Sequence, residues 1–346
     1  MIRTFKCFFV SFLLFISLIG CSSNNAASTE PKSETSGDND LKKVTIQIDG
    51  AAVPYYAPLY VAKEKGYFKE EGLVVEFLYA AAADIVKNVA VGNVQFGFPN
   101  GDSVITARSQ GIPVNVVHTT YQNGLGATIF KKDKGISDPI DLKGKTIGVA
   151  SYGSPNYIQL QVLLQQSGLN IDDVKVKIIG TGSIVNALVG DEVDAITFSL
   201  LRTVELKNQG EQVDEFRSDD FLPSHGNVLV TSEEYLASDK ETIKDFVNAL
   251  DKGLKYIIDG NAEDAINLSI SKYSPTFAGK EETIKTIFDE IFIPYLWQSD
   301  LTKEKGLGTA DLKRWQSTID TLKEFDVIKK EIKAEDFVVN INNEGE

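Results

Sequence analysis

From Leu41 onward, short apolar runs alternate with amphipathic stretches. Val44-Thr45-Ile46-Gln47-Ile48 alternates with period two and predicts a strand. A loop of Pro54, Tyr55, Tyr56 and Pro58 follows, then a helix from Leu59 to Lys65 that Gly66 stops. Val74–Leu78 predicts a second strand, 81–91 a helix, Val94–Phe98 a third strand, 103–110 a helix ended by Gly111, and Val114–Val117 a further strand. The same alternation recurs. Strands are expected at 146–150, 174–179 and 193–198, with helices opening at Gly153-Ser154-Pro155 and spanning 184–189. Ser154 suits an N-cap and Pro155 the first helical position. After His225, beyond the apolar Asn227–Val230, helices dominate. Ser238 and Glu241 form a capping-box pattern ahead of Ile243, Phe246, Val247, Leu250, Leu254 and Ile257, which share one helical face. Further helices are expected at 262–271, 281–296 and 310–325. Strands separated by helices predict parallel sheet and an α/β fold.

A short echo accompanies this alternation. Val86, Val89, Gly92, Val94, Gln95 and Phe96 correspond to Val185, Leu188, Gly190, Val193, Asp194 and Ala195. In each, a helix ends at glycine and feeds a buried strand, which supports two similar lobes.

The N-terminus breaks the pattern. Arg3 and Lys6 precede an apolar run from Cys7 to Ile19, interrupted only by Ser11 and Ser17. A spanning helix needs about 20 apolar residues, so the run predicts a signal peptide. It ends in Leu18-Ile19-Gly20-Cys21, which resembles a bacterial lipobox with Cys21 as the lipidated residue. The polar tract 22–40 then reads as a flexible tether, anchored to a membrane without spanning it. The expected division is 1–20 signal peptide, 21–41 lipidated Cys and tether, 42–128 plus 226–346 first lobe, and 129–225 second lobe.

The chain has 346 residues, with 35 Lys and Arg against 49 Asp and Glu. Loss of Arg3 and Lys6 with the leader moves the formal net charge from −14 to −16. Such acidity argues against nucleic acid, whose backbone must be met by clustered Lys and Arg. Two Cys and two His exclude the usual tetrahedral zinc site, and no metal or other cofactor is expected. No Walker loop, Rossmann fingerprint or nucleophile elbow is present, and Gly180-Thr181-Gly182 lacks a third glycine. His118 follows an apolar strand and reads as structural, with catalysis as the alternative. His225 reads as a loop or hinge residue.

Chemistry concentrates instead in the loops at the carboxyl ends of strands, where open α/β sheets bind ligands. These are Pro54-Tyr55-Tyr56, Asn100-Gly101-Asp102-Ser103, Tyr152-Gly153-Ser154 and Thr181-Gly182-Ser183. Helix N-termini there offer unpaired N–H groups and tyrosines offer stacking surface. Candidate ligand contacts are Tyr55, Tyr56, Asn100, Asp102, Tyr121, Tyr152, Gly153, Ser154, Thr181, Ser183 and Arg202. Arg202 either faces the cleft, favouring an anionic group, or is a helix-surface charge.

Several segments resemble the substrate-binding proteins of ABC importers, in the branch for nitrate, sulfonate, taurine and thiamine-pyrimidine precursors. They are 57–68 (APLYVAKEKGYF) with Glu71-Gly72-Leu73, then 107–114 (ARSQGIPV), 141–149 (DLKGKTIGV) and 190–195. Pro294-Tyr295-Leu296-Trp297, 305–308 (KGLG) and Arg314-Trp315 are similar to the pyrimidine-precursor and riboflavin sub-branch. The stretch 198–205 (FSLLRTVE) stands where pyrimidine-binding relatives carry an aromatic–Asn–x–Glu stretch. The resemblance implies a two-lobed type II periplasmic-binding fold with two hinge crossings and C-terminal helices packed on the first lobe. It also implies a monomer without enzymatic activity that closes on a small molecule and delivers it to a permease and ATPase at the extracytoplasmic membrane face. The same fold family includes eukaryotic pyrimidine synthases, which use a Cys-rich segment, a cofactor-linked Lys and an active-site His.

Overall fold

The computed structural model describes residues 41–341, so the expected leader, Cys21 and most of the tether lie outside the described residues. Ten strands are described: β1 (Lys42–Asp49), β2 (Leu73–Ala80), β3 (Phe96–Phe98), β4 (Val114–His118), β5 (Gly126–Lys131), β6 (Thr146–Val149), β7 (Lys175–Ile178), β8 (Ala195–Ser199), β9 (Val213–Arg217) and β10 (Leu229–Ser232). They form two five-stranded sheets, ordered β2-β1-β3-β10-β4 and β7-β6-β8-β5-β9. Within the first, β1 runs parallel to β2 and β3, with Ile46 beside Phe77 and Phe96. Strand β6 does the same with β7 and β8. Parallel neighbours need a long crossover, and helices 57–64, 82–90, 155–166 and 184–189 supply it. The echo has its counterpart here, because β3 and β8 hold the same place in their sheets.

One strand per sheet is antiparallel to its neighbours, and it is the first formed after the chain crosses over. Strand β5 runs against β8 and β9, and β10 against β3 and β4. The expected division at 128/129 falls inside β5, where Gly126 already pairs with Ser199 of the second sheet. The outward crossing therefore occupies 119–125, earlier than the sequence reading placed it. The return crossing occupies 218–228.

Local chemistry accounts for most element ends. Gly66 and Gly111 stop their helices at φ of +84° and +85°, a region that side chains disfavour. Ser154 caps the helix 155–166 by accepting the Tyr157 N–H at 3.3 Å, with Pro155 at the first position. The capping box at Ser238 and Glu241 does not form. Ser238 ends a short helix, Glu233–Ser238, and its hydroxyl donates back to the Glu234 carbonyl at 2.9 Å. Asp239 starts the next helix instead and accepts from the Thr242 hydroxyl.

The C-terminal helices pack on the first lobe. Helix 240–256 buries Ile243, Phe246, Val247, Leu250 and Leu254 against helices 57–64 and 67–70. A Cβ at Gly253 would stand 2.2 Å from the Pro58 carbonyl oxygen, so the close approach of these two helices needs glycine there. Helix 281–287 in addition touches helix 201–208 of the second lobe. It continues into a π-helical turn, Phe288–Leu296, that contains Pro294. π-Helical segments are found frequently at functional sites.

Candidate functional site

The carboxyl end of the first sheet meets the second lobe at a junction closed by two side-chain bridges. Tyr55 comes from a one-turn 3-10 helix after β1, and its hydroxyl donates to Glu205 Oε1 at 2.7 Å. Arg202, one turn earlier on the same helix as Glu205, donates to its other oxygen at 2.5 Å and lies over the Phe198 ring. The second bridge joins two buried groups. Gln159 Nε2, on helix 155–166, donates to Asp102 Oδ2 at 2.9 Å. Gly126 leaves room for that glutamine, since a Cβ there would stand 1.8 Å from Gln159 Oε1.

Aromatic rings wall the junction. Tyr55 stacks on Phe292 at 5.4 Å and meets Phe277 edge-on. Tyr121 presents its edge to Phe98 and Phe292, and Tyr56 does so to Phe98. Their hydroxyls are committed: Tyr121 donates to the Tyr55 carbonyl at 3.1 Å and Tyr56 to the Asp49 carbonyl at 2.6 Å. Burial raises all three phenol pKa values, and the Glu205 charge adds to the effect at Tyr55.

Burial also holds the Asp102 carboxyl at about 7, against the lowering influence of Gln159 and Ser224. His225 shifts the other way. Burial, with the Arg314 charge, pushes its imidazole down to about 3, so the ring is neutral at pH 7. Its Nδ1 faces the Gln122 carbonyl at 2.9 Å and must donate there, which leaves Nε2 as a buried acceptor without a partner. The two crossings are tied together beside it. Asp219 accepts the Gly124 N–H at 2.9 Å and an Arg314 hydrogen bond, while Arg314 donates to the Ser224 carbonyl at 2.9 Å.

The candidate contacts divide in two. Tyr55, Tyr56, Asn100, Asp102, Tyr121 and Arg202 come together at the junction, with Asn100 capping its helix by accepting the Asp102 N–H. Tyr152 is 63 % exposed and lies edge-on to Tyr157. Ser154 is spent on its cap, and Gly153, Thr181 and Ser183 are exposed, with no side-chain cap at Ser183. Arg202 does face the junction, but Glu205 neutralises it, which removes the reason to expect an anion beside it. Gln159 and Glu205 were not singled out from the sequence. A signal existed for Gln159, a polar side chain among the apolar residues Ile158, Leu160 and Val162. His118 is structural: Nδ1 lies 2.7 Å from Thr120 Oγ1 and Nε2 2.9 Å from Asp251 Oδ1.

Two surface hollows, one near Glu215 and Arg217 and the other near Lys313 and Glu331, lie outside the junction. Neither gathers buried polar groups of the kind that fix a ligand. Among the described residues no cluster of His, Cys, Asp and Glu could hold a metal ion, and no helix is long and apolar enough to cross a membrane.

Comparison with known proteins places this architecture. The family model "NMT1/THI5 like" matches residues 53–263. The riboflavin-binding protein RibY of Chloroflexus aurantiacus is 30% identical over 315 residues, covering 88% of this chain and 89% of its own. The formylaminopyrimidine-binding protein of Halalkalibacterium halodurans is 25% identical over 99% of this chain and 100% of its own. The alkanesulfonate-binding protein SsuA of Xanthomonas axonopodis pv. citri, bound to MOPS, superposes with a TM-score of 0.68 at 15% identity, covering 86% of this chain and 98% of its own. That last likeness shows the fold alone. The chain therefore belongs to the NMT1/THI5-like family and has the two-lobed α/β fold of periplasmic binding proteins.

Proposed function

We propose that this chain is the solute-binding component of an ABC importer. It captures a small heteroaromatic molecule, of the thiamine-pyrimidine-precursor or flavin kind, between its lobes and delivers it to a permease and ATPase. The observation that carries this reading is the junction itself, where an aromatic wall and buried polar groups converge from both lobes across two crossings. Binding shifts the population toward the closed form the permease recognises. RibY and the formylaminopyrimidine-binding protein, both named for such solutes, support it. Tyr55, Tyr56, Asn100, Asp102 and Tyr121 are the residues assigned to the ligand. Tyr152, Gly153, Ser154, Thr181 and Ser183, at the solvent side of the second lobe, are assigned to its contribution to the ligand.

A ligand at 100 times its Kd adds about 2.7 kcal/mol of stability. A thermal-shift screen of pyrimidines, flavins, sulfonates, taurine and nitrate should therefore raise the Tm with at least one compound. No shift for a folded sample would remove the reading. The synthase alternative needs a Cys-rich segment, whereas the chain has only Cys7 and Cys21.

The apolar N-terminal run and the lipobox resemblance ending in Cys21 support a lipid anchor on the extracytoplasmic membrane face, where the chain acts as a monomer. Cys21→Ser should move it from the membrane fraction to the aqueous fraction of expressing bacteria. Unchanged membrane association would refute the anchor.

A further inference from the structure

We propose that Asp102 is the specificity-determining residue of the cleft. Its Oδ1 takes a hydrogen bond from a ring or exocyclic N–H of the solute, and the cleft thereby selects N–H-donating heteroaromatics over oxyanions. This deepens the solute-binding reading and rests on it.

Three observations converge on this carboxylate. Asp102 is fully buried, yet it has one hydrogen bond in good geometry besides its backbone, from Gln159 to Oδ2. Oδ1 has no partner. An ionised carboxylate offers about four acceptor sites, and a buried acceptor left unmet is destabilising. Ser224 stands close enough to lower the Asp102 pKa, but its Oγ reaches hydrogen-bond geometry with no group.

The neighbouring charges are already matched. Arg202 is paired with Glu205, and Arg314 with Asp219. The unmatched side-chain atoms beside them include two donors, Arg202 Nε and Arg314 Nε, and the acceptor His225 Nε2. Asp219 raises the Asp102 pKa and Arg314 lowers it, Asp219 having the larger effect, while His225 is neutral. The junction therefore holds one carboxylate with no cation bonded to it. Above the Asp102 pKa of about 7, an oxyanion entering beside it meets that charge, and the two guanidinium groups nearby already carry carboxylate partners. A flat N–H donor meets an acceptor on its edge, in a junction that also holds the stacked or edge-on Tyr55, Tyr121 and Phe292 rings.

Asp102→Asn tests this with little change of shape. The amide oxygen can still accept from Gln159, while its NH2 group puts a donor where the solute's N–H must bind. Calorimetric titrations would use riboflavin and 4-amino-5-hydroxymethyl-2-methylpyrimidine as donors, and MOPS and nitrate as oxyanions. At least one donor should bind the wild type, neither oxyanion should, and Asp102→Asn should weaken the donor at least tenfold. If circular dichroism shows that Asp102→Asn is unfolded, Asp102→Ser carries the same comparison. Oxyanion binding by the wild type, or equal donor affinity in wild type and variant, would overturn the assignment of Asp102 and leave solute binding intact. Failure of all four probes to bind the folded wild type would overturn both.

Discussion

Trp315→Ala should lower the unfolding free energy by about 3–5 kcal/mol, the usual cost of truncating a buried tryptophan. Trp315 is fully buried on helix 312–324. Its ring lies 4.7 Å from that of His225 and edge-on to Phe337, and its indole N–H donates to Thr119 Oγ1 at 3.2 Å. Its outer edge stands 3.3 Å from where a Cβ on Gly101 would be, at the start of the helix that carries Asp102. One side chain thus fastens the C-terminal helix to the outward crossing, the return crossing and the helix that carries Asp102. The alanine leaves a cavity that a closely packed interior fills only in part. Urea unfolding should show a lower midpoint with an unchanged slope. A loss below about 1 kcal/mol would mean that the neighbourhood collapses freely around the smaller residue, contrary to the tight packing described.

A pH dependence of comparable size is expected at Asp102. Burial raises its folded-state pKa from 3.8 to about 7. Protonation is then favoured in the folded state, so the stabilising contribution is fully present below pH 3.8 and is lost as pH rises through 7. Relative to Asp102→Asn, the wild type should therefore gain stability as pH falls from 7 to 4. The gain is about 3 kcal/mol, with a slope near 1.4 kcal/mol per pH unit in the middle of that range. Asp49, raised to about 6 by burial, has the same sign and is present in both proteins. His225 has the opposite sign. Its pKa, lowered to about 3, makes its contribution full above 6.5 and progressively lost as pH falls. Both cancel in the difference between wild type and variant. Unfolding titrations of the two proteins at pH 4, 5, 6 and 7 measure it, and a difference that stays flat with pH would show that Asp102 titrates as an ordinary surface carboxylate.

Legibility from sequence follows the range of the interactions. Period-two alternation marked β1, and glycines at positive φ marked the helix stops at Gly66 and Gly111, because each depends on a few adjacent residues. Strand β9 escaped, since an edge strand carrying Asp214, Glu215 and Arg217 shows no apolar pattern. The capping-box pattern at Ser238 misled for a local reason: the preceding residues form their own helix, and Asp239 is the residue left between the two. The loops at the strand ends carry polar and aromatic residues, but nothing local says which of them face each other. Tyr152 is of the same type as the junction tyrosines, and Ser183, like Asn100, is a helix-capping type, yet the fold leaves them exposed.

By itself, the sequence determined the α/β class, the alternation of elements, the two repeated lobes and the scarcity of thiols and imidazoles, because composition and periodicity are properties of the chain. The tertiary structure alone decided the clasp. Asp102 meets Gln159 across 57 residues and Tyr55 meets Glu205 across 150. It also turned Arg202 from a candidate anion partner into half of an ion pair. The physical reason is that the order of strands in each sheet, with two crossings between them, sets which helix ends oppose one another. Burial at that junction then fixes the charge and hydrogen-bonding of groups that would be unremarkable in water.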